Sequence, residues 1–239
     1  MGTNESAIDA LVALGVPLGL QTGLPVIDEV LSNNLQYGEI SEIMGDAGTG
    51  KTQLCYALVT HFLFHTTFNV AWLDSNGSFR AHRLVEYAKG SGETIDKTFE
   101  ALERVTIARV SDHKQLIEIL GLIDDYFVEY CIRLVIIDGV FEMCDERLFG
   151  ENVRRSSIMG VILNKINTLT EAGCTVVTTC SQKDHESELT RNWIQQIQRS
   201  ILVENDSKVR GVRVLKVKDP SQNCGRFKIS SRGLRAEYS

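Results

Sequence analysis

Along the chain, short runs of β-branched and apolar residues alternate with longer stretches whose apolar positions recur at helical spacing. The short runs are EISEIM (39–44), FNVAWLD (68–74), RVTIARV (104–110), RLVIID (133–138) and CTVVTTC (174–180). After the first of them, Leu54, Cys55, Leu58, Val59 and Phe62 mark one face of a helix. QLIEILGLIDDYFVEY and SSIMGVILNKINTLTEAG repeat that pattern further on. Strands this continuously apolar predict burial on both faces, hence an α/β fold with a mostly parallel sheet covered by helices. After Arg199 the rhythm changes. RSILVEN, VRGVRVLKVKD and GRFKISSRG read as consecutive strands joined by turn residues, which predicts an antiparallel extension on one sheet edge. Residues 1–19 read as a short N-terminal segment, at most a short helix, and residues 20–239 as one core domain.

Composition narrows this picture. A chain of 239 residues with 43% hydrophobic residues, 23% charged residues and 3 prolines is ordered and sized for one α/β core. No apolar segment reaches membrane-spanning length, so no membrane partner is expected. The opening MGTNESAIDALVALG has no basic n-region, so neither a secretory signal nor a transit peptide is expected. The 6 cysteines form no CxxC pair and sit mostly in apolar runs, which points to reduced thiols in a cytosolic or nuclear protein. In that setting the sequons at Asn76 and Asn205 are idle. Myristoylation at Gly2 is not expected, because no second membrane signal accompanies the short pattern. A net charge of −6 argues against the whole surface serving a nucleic-acid backbone. Residues 208–239, with nine Lys/Arg against Asp219 and Glu237, are nevertheless locally basic.

The chemistry starts in EISEIMGDAGTGKTQLCYALVTHF. Gly45, Gly50, Lys51 and Thr52 fit G-x-x-x-x-G-K-[ST] between a predicted strand and a predicted helix, the context a phosphate loop requires. Glycines let the backbone curl so that successive N–H groups and the helix N-terminus face phosphate oxygens. Residues Gly45, Asp46, Ala47, Gly48, Thr49, Gly50, Lys51, Thr52 and Gln53 are therefore expected to cradle the phosphates of a nucleotide, with Lys51 on the outer phosphates. The Thr52 hydroxyl is expected to ligate Mg²⁺. Asp138, closing the apolar run RLVIID, is the expected second metal-linked group.

TGLPVIDEVLSNNLQYGEISEIMGDAGTGKTQLC, WLDSNGSFRAHRL, LVIIDGV and AGCTVVTTCSQ together resemble, in order and spacing, the RecA-type recombinase core of the eukaryotic Rad51 branch. The resemblance spans about residues 20–235. DSNG is similar to the D-type paralogue rather than to the strand-exchange protein. The resemblance implies a RecA-like P-loop ATPase core, a doubly wound sheet binding ATP at its strand ends. It also implies a glutamate, in active recombinases, at the position held here by Asn76. An amide can orient water but cannot accept its proton, so slow or absent hydrolysis is expected; Asn-Gly is also simply a good turn. The family's polar sensor after CTVVTTC aligns with Ser181, and Gln182, one place later, can serve if the strand end bulges. Arg80 and Arg83 are read either as approaching the nucleotide or as solvated helix positions.

Two stretches match the family's loops for single-stranded DNA, residues 145–157 and 183–200. They offer Arg147, Arg154, Arg155, Lys183, Arg191 and Arg199 for phosphates and Trp193 for base stacking. Interspersed acidic residues leave open that they are only charge-mixed loops with a packing Trp. His185 has no partner at ligand spacing. The basic strands at 208–235 either flank a DNA path or place alternate residues outward. No counterpart of the recombinases' N-terminal helical domain is expected ahead of this core, and a chain that caps or joins a filament is expected on that reading. The resemblance thus implies a nuclear, ATP-binding mediator of recombination and DNA repair that works with a strand-exchange recombinase or another paralogue on single-stranded DNA. A DNA-dependent ATPase or strand-exchange motor, and a P-loop scaffold without DNA contact, are the alternatives.

Overall fold

A computed structural model describes residues 19–31, 35–126, 129–144, 155–185, 191–217 and 224–238. The five apolar runs form β1 (Ile40–Met44), β2 (Asn69–Asp74), β3 (Val105–Arg109), β4 (Ile132–Asp138) and β5 (Thr175–Cys180). The C-terminal part adds β6 (Arg199–Asn205), β7 (Val212–Val217), β8 (Cys224–Ser230) and β9 (Gly233–Ala236). They make one sheet in the order β3-β2-β4-β5-β1-β6-β7-β8-β9.

The described helices are α1 (Pro25–Leu31), α2 (Lys51–His65), α3 (Ala81–Gly90), α4 (Ile95–Glu103), α5 (His113–Tyr126), α6 (Arg155–Glu171), α7 (Gln182–His185) and α8 (Arg191–Gln196). None is long and apolar enough to cross a membrane. The central strands send alternate residues to two cores. Val70, Trp72, Leu134 and Ile136 pack with the buried faces of α1, α2 and α3. Ala71, Leu73, Val135 and Ile137 pack with α5, α6 and Trp193. The near-continuous apolar runs of β2 and β4 suit burial on both faces, while β1 and β5 bury Ser41, Glu42, Thr175, Thr178 and Thr179 among apolar neighbours.

Two expectations are refined. β3 lies at the sheet edge with Ile107 exposed, so its apolar character does not signal burial on both faces. β6 pairs parallel with β1, and the antiparallel extension starts only at the β6–β7 pair. The long connection through α7 and α8 supplies the crossover that parallel pairing needs. β9 completes the extension against β8, entered through Gly233 at φ +98.

Candidate functional site

β1 ends at Met44 and the chain turns through residues 45–50 into α2. Gly45 N–H donates to the Cys180 carbonyl at 3.3 Å, tying the loop's start to the end of β5. Glycine is needed there, because a Cβ would stand 2.2 Å from the Val203 carbonyl oxygen. Gly48 and Gly50 take φ +77 and +105, conformations that L side chains rarely adopt. Gly50 caps α2 without any side-chain hydrogen bond, so the first-turn N–H groups have no side-chain cap. Lys51 folds back over the loop and its Nζ donates to the Gly45 and Asp46 carbonyls at 2.8 and 3.1 Å.

Thr52 Oγ1 donates toward the Asp138 carboxylate, 3.0 Å from Oδ2 and 3.2 Å from Oδ1. Thr179 Oγ1 donates to Asp138 Oδ1 at 2.6 Å and Ser78 Oγ to Oδ2 at 3.1 Å. Burial raises the Asp138 carboxyl above the usual carboxylate range. The Thr179, Thr52 and Ser78 hydroxyls work against that shift, and the neighbouring Asp74 charge adds to it. These residues fit Mg·ATP: a glycine cradle, an uncapped helix N-terminus, a lysine held by loop carbonyls, and a hydroxyl beside a carboxylate. Thr52 and Asp138 would hold the metal, with Thr179 and Ser78 orienting the carboxylate.

The turn after β2 is pinned from several sides. Asp74, paired in register with Asp138, accepts the Ser78 and Phe79 N–H groups, each at 3.1 Å. The Phe79 ring packs edge-on against Trp72 at 5.0 Å, and the Tyr56 hydroxyl accepts Arg80 N–H at 2.6 Å. Burial, the largest influence on that hydroxyl, pushes its pKa up to about 12, so it stays protonated. Asn76 is exposed and its Oδ1 accepts Ser78 N–H at 2.9 Å, closing the turn through Gly77 at φ +69. Arg80 folds onto the Gly77 and Phe79 carbonyls, and Arg83 is held by Gln53, Glu86 and the Ser230 carbonyl. Both arginines are engaged in holding local structure.

Gln182 opens α7 and lines a cavity of about 390 Å³ with Asp46 and Thr49. The register of β1 with β5 is regular to Cys180, so a helical turn and not a bulge carries Gln182 there. The C-terminal sheet also leans on the phosphate loop, with Arg213 donating to the Gly48 carbonyl at 3.3 Å.

The DNA residues fare unevenly. Arg147 and Arg154 lie outside the described residues, as do the side chains of Arg155 and Arg191, whose backbones belong to α6 and α8. Lys183 is exposed on α7. Of the two readings of Trp193, base stacking is corrected in favour of packing. Trp193 is 0% exposed, its indole N–H donates to Glu42 Oε1 at 2.8 Å, and its ring packs against Phe141. Arg199 is corrected too: it starts β6 at the sheet end opposite the phosphate loop and pairs with Glu39. In the basic C-terminal strands Lys216, Arg226 and Lys228 are ion-paired with Glu204, Asp206 and Glu237, which favours outward alternation over a bare cationic track.

Sequence reasoning missed Asp74, Ser78 and Thr179, which surround Asp138. An acidic residue at the end of β2 was the available signal for Asp74; strand register places the Thr179 hydroxyl, and the turn after β2 places that of Ser78.

The Rad51 family model matches residues 17–201. A RAD51-like protein 1 of Caenorhabditis elegans is 29% identical over 97% of the chain and 95% of its own length. DNA repair protein RAD51 homolog 4 of Mus musculus is 27% identical over 73% of the chain, which spans 53% of that protein's length. The meiotic recombination protein DLH1 of Candida albicans is 30% identical over 51% of the chain and 38% of its own length. The family match covers most of the chain, and it includes the phosphate loop, Asp138 and the turn after β2, so the chain belongs to the Rad51 family.

Proposed function

We propose that this chain is an ATP-binding recombinase paralogue that acts as a mediator of homologous recombination and DNA repair. In this reading it sits nearest the D-type branch, on the strength of DSNG, and works in the nucleus. It joins a strand-exchange recombinase or another paralogue and stabilises or remodels its filament on single-stranded DNA. The observation that carries the nucleotide part is the Thr52–Asp138 contact at 3.0 Å beside a lysine held by its own loop's carbonyls.

The relatives named above, DNA repair and meiotic recombination proteins, support the biological role. Proteins of this family generally bind ATP with Mg²⁺, and the residues here suit both. Bound nucleotide, neutralised by Lys51 and anchored by α2, favours the conformation it fits best. Lys183, with Arg147, Arg154, Arg155 and Arg191, remains the proposed DNA contact; Trp193 and Arg199 leave that set.

The test combines nucleotide binding and single-stranded DNA binding as a function of salt, for the chain with and without its recombinase. A mediator binds ATP, loses it in Lys51→Ala, and binds single strands with a negative salt slope. Nucleotide binding without salt-dependent DNA binding would point to a scaffold. Rapid DNA-stimulated turnover by the chain alone would point to a motor.

A further inference from the structure

In ATP hydrolysis a well-placed carboxylate can take a proton from the attacking water. Three carboxylates stand at or just beyond the ends of β2 and β4. Asp74 is 1% exposed and is occupied by the Ser78 and Phe79 N–H groups. Asp138 is 2% exposed and is occupied by the hydroxyls of Thr52, Thr179 and Ser78. Both are committed to holding structure or metal.

Glu142 differs. It is exposed and opens the 3₁₀ turn Glu142–Cys144 just beyond β4. Its Oε2 lies 2.9 Å from Ser75 Oγ, which lies 2.8 Å from the Asp138 carbonyl oxygen. A glycine at 139 permits this approach, because a Cβ there would stand 2.2 Å from Ser75 Oγ and 2.7 Å from Glu142 Oε2. The Glu142 N–H donates to the Gly139 carbonyl at 3.2 Å and fixes the turn. Ser75 directly precedes Asn76, whose amide oxygen is turned to the Ser78 N–H and which, as an amide, cannot take a proton.

We infer that Glu142 supplies the proton acceptor for ATP hydrolysis in this chain, from the loop after β4. The inference rests on the nucleotide reading above. In the step, the water oxygen bonds to the γ-phosphorus and one water proton passes to the Glu142 carboxylate. The bond from that phosphorus to the β,γ-bridging oxygen breaks, and ADP leaves with its electron pair. Ser75 acts as a positioning residue that holds the carboxylate at the turn.

The test uses the full chain as wild type, Glu142→Gln, Glu142→Asp and Ser75→Ala. It measures Mg·ATP turnover and, separately, equilibrium binding of Mg·ATP, Mg·ADP and Mg·ADP with aluminium fluoride, which mimics the transferring phosphoryl group. Wild type should turn over slowly and bind the fluoride complex more tightly than Mg·ADP. Glu142→Gln should lower turnover by about 100-fold or more, the scale of a lost general base. It should bind Mg·ATP as wild type does and lose the preference for the fluoride complex. Glu142→Asp should restore part of both. Unchanged turnover and unchanged preference in Glu142→Gln would overturn the inference. So would a wild type that binds ATP and never hydrolyses it. A wild type that binds no ATP would bring down the nucleotide reading itself, and this inference with it.

Discussion

Replacing Trp193 by Phe separates the two meanings of that residue. The indole is wholly buried, its N–H donates to a Glu42 carboxylate that is itself 0% exposed, and its ring packs against Phe141. Phenylalanine keeps most of the packing and removes the donor. Glu42 retains the Cys180 thiol but loses its indole partner in a low-dielectric core. A lost hydrogen bond to a buried charged group costs about 2 kcal/mol. For a chain of this size that lowers the unfolding midpoint by about 4–8 °C. Trp193→Ala adds a cavity and should cost about 3–5 kcal/mol. Urea unfolding of wild type, Trp193→Phe, Glu42→Gln and the double variant measures the coupling directly. Trp193→Phe should leave single-strand affinity of the folded protein unchanged. A Trp193→Phe chain as stable as wild type, with weakened DNA binding, would refute the anchoring role and restore the stacking one.

Two further outcomes follow from the geometry. Gly45→Ala places a methyl group against the Val203 carbonyl, so the phosphate loop must shift. A nucleotide titration should show affinity falling at least as far as in Lys51→Ala. His61 has its imidazole pKa lowered, first by burial and then by the stacked His65, so in the folded chain it stays neutral below the ordinary 6.5. Below that pH the unfolded chain takes up the proton first. Stability therefore declines as pH falls from 6.5 toward the lowered value, a decline that urea midpoints at pH 7.5 and 5.5 should show and that His61→Gln should reduce.

Much of the architecture was legible because burial on both faces writes itself as continuous apolar runs, and β1, β2, β4 and β5 lie where those runs do. Residue type does not report sheet order, so RVTIARV looked like its neighbours although β3 is an edge. Nor does it report direction, so β6 read as the first antiparallel strand when it continues the parallel sheet. The phosphate loop was readable because its geometry demands particular residues at fixed local spacing. The rest of the site is not local. Asp74, Asp138 and Thr179 come together only because β2, β4 and β5 pair in one register. The choice between stacking and packing for Trp193 was not legible for the same reason: its partner, Glu42, lies 151 residues away on β1.

Thr52 and Asp138 are proposed to hold the metal of a bound Mg·ATP at the N-terminus of α2. Calorimetric titration of ATP with and without Mg²⁺, for wild type, Thr52→Val and Asp138→Asn, tests it most directly. Wild type should bind ATP more tightly with Mg²⁺ than without. In both variants the benefit of Mg²⁺ should shrink sharply while metal-free binding, carried by Lys51 and the loop backbone, persists. Equal enhancement by Mg²⁺ in all three proteins, or no ATP binding by wild type, would contradict the account.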